Sequence, residues 1–189
     1  MLPIILTAGV TFAVLFFLDK TFTGLFRSKQ QHKSGLSVRL PKGNGIAGIL
    51  LIVLAALVLV TDFGASQGLM IFAGLFVGLV GISLSIYYVS FGVFYDEEAF
   101  VYNSFGSKAV TYRYSDIQGQ KLYMVQGGGI VVELHMADGK SVNLQSKMEG
   151  MYPFLDKAFY RWCAQKGVDP DSCEFHDPNN SLWFPSVEE

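Results

Sequence analysis

Two long apolar runs, residues 46–60 (IAGILLIVLAALVLV) and 69–88 (LMIFAGLFVGLVGISLSIYY), contain no Asp, Glu, Lys, Arg or His. The short stretch between them, TDFGASQG, holds one ionisable residue, Asp62. Uncharged apolar sequence at this density has lipid as its natural solvent, and the pair reads as a membrane hairpin.

The charge divides around residue 90. Residues 1–90 carry a net +4 and residues 91–189 a net −6. The acidic second half argues against nucleic acid as a partner, since that would call for clustered Lys and Arg. The only two cysteines, Cys163 and Cys173, lie in that half. Two thiols do not make a disulfide framework, and in a cytosolic domain they are expected to be reduced.

A third apolar segment, residues 2–18, would be about 25 Å long as a helix, slightly short for a typical hydrocarbon core. No Lys or Arg precedes Lys20, and the segment ends in Phe16-Phe17-Leu18 rather than in small residues. It is therefore read as a retained first span rather than a cleaved signal. Spans are expected at about 2–18, 45–61 and 68–90. The link 19–44 carries Lys20, Arg27, Lys29, Lys33, Arg39 and Lys42 against Asp19, whereas 61–67 has no Lys or Arg. The positive-inside rule then places the link in the cytoplasm, the N-terminus outside and the second half of the chain in the cytoplasm, at the inner or plasma membrane. Residues 21–26, with Phe22, Leu25 and Phe26 between Lys20 and Arg27, suit the inner headgroup layer. Gly74, Gly78, Gly81 and Ser85 fall on one helix face, suited to packing on the chain's own spans or on a second copy. The absence of ionisable groups in the two central runs argues against a pump or secondary transporter.

After Ser90 the period changes to two. Phe100 and Tyr102, then Val110, Tyr112 and Tyr114, then Leu122 and Met124, then Val132, Leu134 and Met136, then Val142 and Leu144 mark half-buried strands. Turns are expected at residues 96–98, 105–108, 127–129 and 137–140. From Met151 to Cys163 the apolar residues Met151, Phe154, Leu155, Ala158, Phe159, Trp162 and Cys163 form one helical stripe. Pro153 suits its first turn and Gly167 its end. Ser146-Lys147-Met148-Glu149 has the form of a capping box, read as a short preliminary turn, with the main helix from Pro153.

The fold expected is α+β: transmembrane helices followed by an antiparallel meander or barrel closed by one amphipathic helix. Val93-Phe94-Tyr95-Asp96-Glu97-Glu98, Phe105-Gly106, Tyr112-Arg113-Tyr114-Ser115-Asp116-Ile117, the Asp138-Gly139-Lys140 turn and the closing helix resemble the pleckstrin-homology-like (PH-like) domains attached to membrane spans in bacteria. The resemblance covers residues 91–167 and implies a PH-like domain there, with 168–189 a tail on the domain or on a partner. Many PH domains that hold phosphoinositides place Lys and Arg on the first hairpin; here that turn is Asp96-Glu97-Glu98. Members used as protein-binding platforms fit this chain better.

Candidate chemistry is sparse. Glu133 and His135 share one strand face, which suits an exposed pair better than acid–base work. Cys163, Cys173 and His176 fall short of a four-ligand zinc pattern. The glycines at 43–45 and 127–129 lack the Lys-Ser/Thr of a phosphate loop. Lys108, Arg113 and Lys121, with Lys140 and Lys147, are the remaining candidates for an anionic lipid headgroup. Leu182, Trp183 and Phe184 are too apolar to be free in solvent, and either fold back or anchor a partner. No catalytic residue, cofactor, metal or small-molecule substrate is called for. The expected role is a non-enzymatic interaction or assembly platform, with the bilayer and either a protein partner or a second copy as partners. Headgroup sensing is the alternative, and a membrane-bound enzyme comes third.

Overall fold

The computed structural model describes residues 36–62, 68–104, 106, 108–126 and 128–187. The expected first span, the segment 21–26 and most of the basic link lie outside these residues. Among the described residues the chain is α+β, with three α-helices and two antiparallel sheets. It divides into two compact units, a helical hairpin and a β domain.

The hairpin is formed by α1 (Lys42–Asp62) and α2 (Gly68–Ser90). Their 21 and 23 residues correspond to roughly 32 and 35 Å of helix, enough for a hydrocarbon core of about 30 Å. Apolar stretches at Lys42–Leu59 and Ile71–Ser90 are each long enough to cross a membrane, and only 17% of each is buried. The core helix of a soluble protein would be mostly buried; these instead expose Leu50, Leu54, Leu57, Phe72, Leu75, Phe76 and Leu79.

Small residues set the helix contact. A Cβ on Gly81 would lie 2.7 Å from the Gly48 carbonyl oxygen and 2.9 Å from Ile52 N. One on Gly48 would lie 2.5 Å from Ser85 Oγ. Gly78 faces Ala55, and Gly74 faces Leu59 and Val58. The Ser85 hydroxyl is satisfied within its own helix, donating to Gly81 O at 2.9 Å. The face Gly74, Gly78, Gly81, Ser85 is thus turned to α1 of the same chain. Gly48 is its counterpart there, a residue the sequence pattern did not single out.

The β domain has strands β1 (Ser37–Val38), β2 (Gly92–Tyr95), β3 (Ala99–Asn103) and β4 (Val110–Arg113) in one sheet, in that order. A 3-10 turn at Tyr114–Asp116 leads to β5 (Ile117–Val125), β6 (Gly129–Met136) and β7 (Ser141–Gln145), which form the second sheet. The helix α3 (Met151–Lys166) follows. Its stripe is buried from Met151 to Cys163, as the spacing predicts. Gly167 closes it in the left-handed conformation, φ 69°.

Three expectations change. Residues 36–40, placed in the link, supply β1: Ser37 pairs with Phe94 and Val38 with Val93, and Val38 and Leu40 are buried. The hairpin is therefore spliced between two paired strands of the β domain. The helix starts at Met151, not Pro153, after Gly150 at φ 82°. A side chain at Gly150 would meet Ser37 O at 2.5 Å, so both its backbone angle and its proximity to β1 require glycine. Ser146 does not cap a helix; its Oγ accepts from Ile130 N–H at 3.0 Å and fastens β6 to the chain leaving β7.

The α1–α2 contact predicts an outcome. Gly81→Val should lower the thermal midpoint of the helical circular dichroism signal in detergent, by about 1–3 kcal/mol of stability, because backbone must move. Gly43→Val, where no atom lies within 4 Å of the new Cβ, should shift it much less.

Candidate functional site: the tail clamp and the β5 edge

Gln120 sits in phase with Leu122 and Met124 on β5, opposite core-facing Leu134, and is 1% exposed. A buried primary amide is costly unless every group is paired. Here the C-terminal tail pairs the oxygen twice and the nitrogen once. Gln120 Oε1 accepts from the backbone N–H groups of Trp183 at 2.9 Å and Phe184 at 3.0 Å, and Nε2 donates to Ser181 O at 2.9 Å. Its own backbone adds two bonds: Gln120 N–H to Pro185 O at 2.8 Å, and Val187 N–H to Gln120 O at 3.1 Å. One residue thus makes five hydrogen bonds to the tail. Gly119 beside it leaves room for this approach, since a Cβ there would lie 2.5 Å from Pro185 O.

The tail's rings pack on α3. Trp183 and Phe184 are each 1% exposed, and Leu182 is half-buried. Trp183 Nε1 donates to Asp156 Oδ1 at 2.7 Å, and its ring lies 5.9 Å from that of Tyr152. Phe184 meets Trp162 edge-on at 6.0 Å. Trp162 is held from the other side, donating to Ile117 O at 2.8 Å. His176 stacks flat on Phe159 at 3.6 Å. The tail turns through Asp177, whose carboxylate accepts from Asn179 N–H and the Asn180 side-chain amide, and Ser181 takes a left-handed φ of 61°. Leu182, Trp183 and Phe184 therefore fold back onto their own domain, and the rings of Trp183 and Phe184 are not offered to solvent as anchors.

The acidic first turn also has a structural task. Asp96 Oδ1 accepts from Glu98 N–H and Ala99 N–H, each at 2.9 Å, and Tyr114 donates to Asp96 O at 2.6 Å. Burial raises the Tyr114 phenol pKa above its ordinary value. Glu97 forms ion pairs with Lys157 and Arg161 of α3. The Asp96 carboxylate thus closes the turn, and the Glu97 carboxylate ties the β2–β3 hairpin to the helix.

The basic candidates are dispersed. Lys108 is exposed before β4, Arg113 ends β4 in the first sheet, and Lys121 lies on β5 in the second, opposite Glu133. Lys121 lines a cavity of about 360 Å³ with Gln120, Leu122, Tyr123, Leu182, Ser186 and Val187; Lys108 and Arg113 do not. Lys147 lines a separate cavity of about 60 Å³ by the β5–β6 turn. Lys140 pairs with Asp138 at 3.3 Å.

Glu133 and His135 point away from the core face that Val132, Leu134 and Met136 fill. Hydrogen bonds from Ser141 and Tyr123 and the charges of His135 and Lys121 hold the Glu133 carboxyl below its usual range, against the effect of burial. His135 Nε2 is buried with no hydrogen-bond partner. Cys163 and Cys173 are buried, free and adjacent; burial first, and then Cys173, pushes the Cys163 thiol up to about 11. Among the described residues no three His, Cys, Asp or Glu side chains gather as a metal set.

Comparison with protein-family models, curated proteins and solved structures found no match. The domain's possible uses therefore rest on its own geometry, in which one feature stands out: a tail clamped onto the β5 edge by Gln120. The phase of Gln120 with Leu122 is the sequence sign that points it inward, and it is a weak one, because Leu122 and Met124 in the same phase are exposed and a lone Gln in an alternating strand resembles a solvent-facing residue.

Two outcomes follow from the clamp. Gln120→Leu leaves three buried backbone groups of the tail without their side-chain partner. It should destabilise the full-length protein in detergent by about 3 kcal/mol, read from urea unfolding followed by Trp162 and Trp183 fluorescence. The second concerns His176, whose pKa burial lowers from 6.5. A base with a depressed folded pKa binds its proton better when unfolded, so its neutral form stabilises the fold fully above pH 6.5. That stability declines as pH falls below 6.5 towards the folded pKa. His176→Phe keeps the stack, and should flatten this part of the pH–stability curve relative to the parent.

Proposed function

We propose that this chain is a non-enzymatic integral membrane protein whose hairpin anchors a PH-like β domain at the inner face of the membrane, where the domain serves as an interaction or assembly platform. The observation that carries this reading is the splice, between β1 and β2, of an exposed helical hairpin whose apolar runs 46–60 and 69–88 are uncharged. Those strands pair antiparallel through Ser37–Phe94 and Val38–Val93. A hairpin that crosses twice returns the chain to the side it left, which is the side on which β1 must meet β2. The basic link 19–44 and the Lys- and Arg-free connection 61–67 support the cytoplasmic side.

An antiparallel meander with a closing helix and the Asp96 turn support the PH-like assignment. A platform role is favoured over headgroup sensing because Lys108, Arg113 and Lys121 sit on separate elements, and because Glu97 in the first turn is already paired with Lys157 and Arg161.

The native thiols are buried and make poor topology reporters. Asn179, exposed on the domain, serves better, together with Ser66 in the sequence between the two apolar runs. The protein should stay with membranes through alkaline carbonate. In intact cells an impermeant maleimide should label Ser66→Cys, while Asn179→Cys should react only after permeabilisation. Release by carbonate would overturn the anchoring, and labelling of Asn179→Cys from outside would overturn the orientation.

A further inference from the structure

We propose that Cys163 and Cys173 are a redox-active dithiol, which a peroxide closes into an intramolecular disulfide that staples the start of the tail to the last turn of α3. Both thiols are free and buried, at 1% and 9% exposure. They also touch. The Cys163 thiol hydrogen-bonds to Cys173, whose own S–H donates to Asp169 O at 3.6 Å.

The chain between them is surface. It turns back at Gly167, and Val168 N–H bonds Cys163 O at 3.0 Å. A 3-10 turn at Pro170–Ser172 then delivers it to Cys173. Residues 164–169 are exposed, as are Asp171, Ser172 and Glu174, so Cys173 is the one buried residue from 164 to 174. Just beyond it, the Phe175 ring meets Trp162 at 6.1 Å and Phe159 at 6.4 Å. Those rings seat the segment on α3 and set the Cys173 sulfur against the only other thiol in the chain.

Burial alone would be served by any small apolar pair, whereas two sulfurs in contact can also form a bond. A disulfide needs an S–S length of about 2.05 Å. The thiols already touch, and the turn has no other buried side chain to hold Cys173 back, so closing that gap leaves the helix in place.

Exposure sets the order of reaction. Cys173 is the sulfur that a small oxidant reaches first. Burial, and then Cys173 itself, push the Cys163 thiol up to about 11, which keeps it protonated and slow to react alone. The Cys173 sulfur attacks one oxygen of hydrogen peroxide, the O–O bond breaks, and a Cys173 sulfenic acid and one water result. The Cys163 sulfur then attacks the Cys173 sulfur. The S–O bond breaks, the S–S bond forms, and a second water leaves with the Cys163 proton. The dithiol loses two electrons and two protons, and peroxide is reduced to two waters. A thiol reductant reverses the link by exchange.

The bond fastens the tail where it leaves α3, while Gln120 fastens it at residues 181–187. A link of this kind restricts the open chain and so favours the closed tail. Cytosolic disulfides are usually transient and redox-sensing, which suits the inner-face location proposed above. The chemistry itself does not depend on the side of the membrane.

The test uses full-length protein in detergent, reduced and then freed of reductant. Hydrogen peroxide should lower the thiols that take up maleimide after denaturation from two per chain to none. A Cys163–Cys173 linked peptide should appear in the digest, and dithiothreitol should restore both thiols. Oxidation should also raise the thermal midpoint of tryptophan fluorescence by about 5 °C or more, reversibly. Cys163→Ser should show neither the link nor the rise. Two thiols still free after peroxide would overturn the proposal, as would their loss without the intramolecular link. A midpoint that fails to rise on oxidation, or that rises equally in Cys163→Ser, would overturn the staple. The readings on the parent protein decide the matter even if the variant does not fold, and none of them depends on the anchoring.

Discussion

The amide of Gln120 is the interaction on which the β domain depends. A buried primary amide has two donors and an acceptor with two lone pairs, and must find partners or lose several kcal/mol. The tail fills three of these four positions with backbone groups, so the side chain acts as a short surrogate strand laid across the end of the second sheet. Apolar burial alone would accept several placements of Trp183 and Phe184. The three amide contacts select one, because a shift of the tail by a residue would leave buried donors unpaired.

The helix α3 receives what this clamp and the first sheet deliver. Trp183 reaches Asp156, Phe184 meets Trp162, and His176 covers Phe159. On its other flank Glu97 meets Lys157 and Arg161, and Tyr95 and Phe100 pack on Phe154 at 5.0 and 5.3 Å. The sheets are separate ladders, and the helix is where their side chains converge. The acidic β2–β3 turn, which looks like a surface feature in isolation, is part of that convergence.

Most elements were legible from periodicity, because they bury one face and so repeat. The stripe from Met151 to Cys163 and the alternations around Phe100, Val132 and Val142 are of this kind. What escaped was short or single. β1 has only two residues and lies next to Arg39, in a segment whose charge suggested a link. Gly48 was inconspicuous among aliphatic neighbours, although its lack of a side chain admits Ser85. The tail's apolarity predicted contact with something, but whether with its own domain or another protein depended on Gln120, more than sixty residues away.

The splice of the hairpin into the β1–β2 pair has a consequence for how the protein is made. β1 leaves the ribosome before either helix, and its partner strand only after both. The first sheet cannot close until the hairpin has been completed. Were only one helix to enter the bilayer across its full thickness, Val38 and Val93 would be stranded on opposite faces, and Val38 and Leu40 would lose their places in the core. Under the anchoring proposed above, folding of the domain would report on the insertion of its anchor: a chain with the wrong number of crossings would present an unfinished sheet, the kind of exposed apolar edge on which chaperones and proteases act.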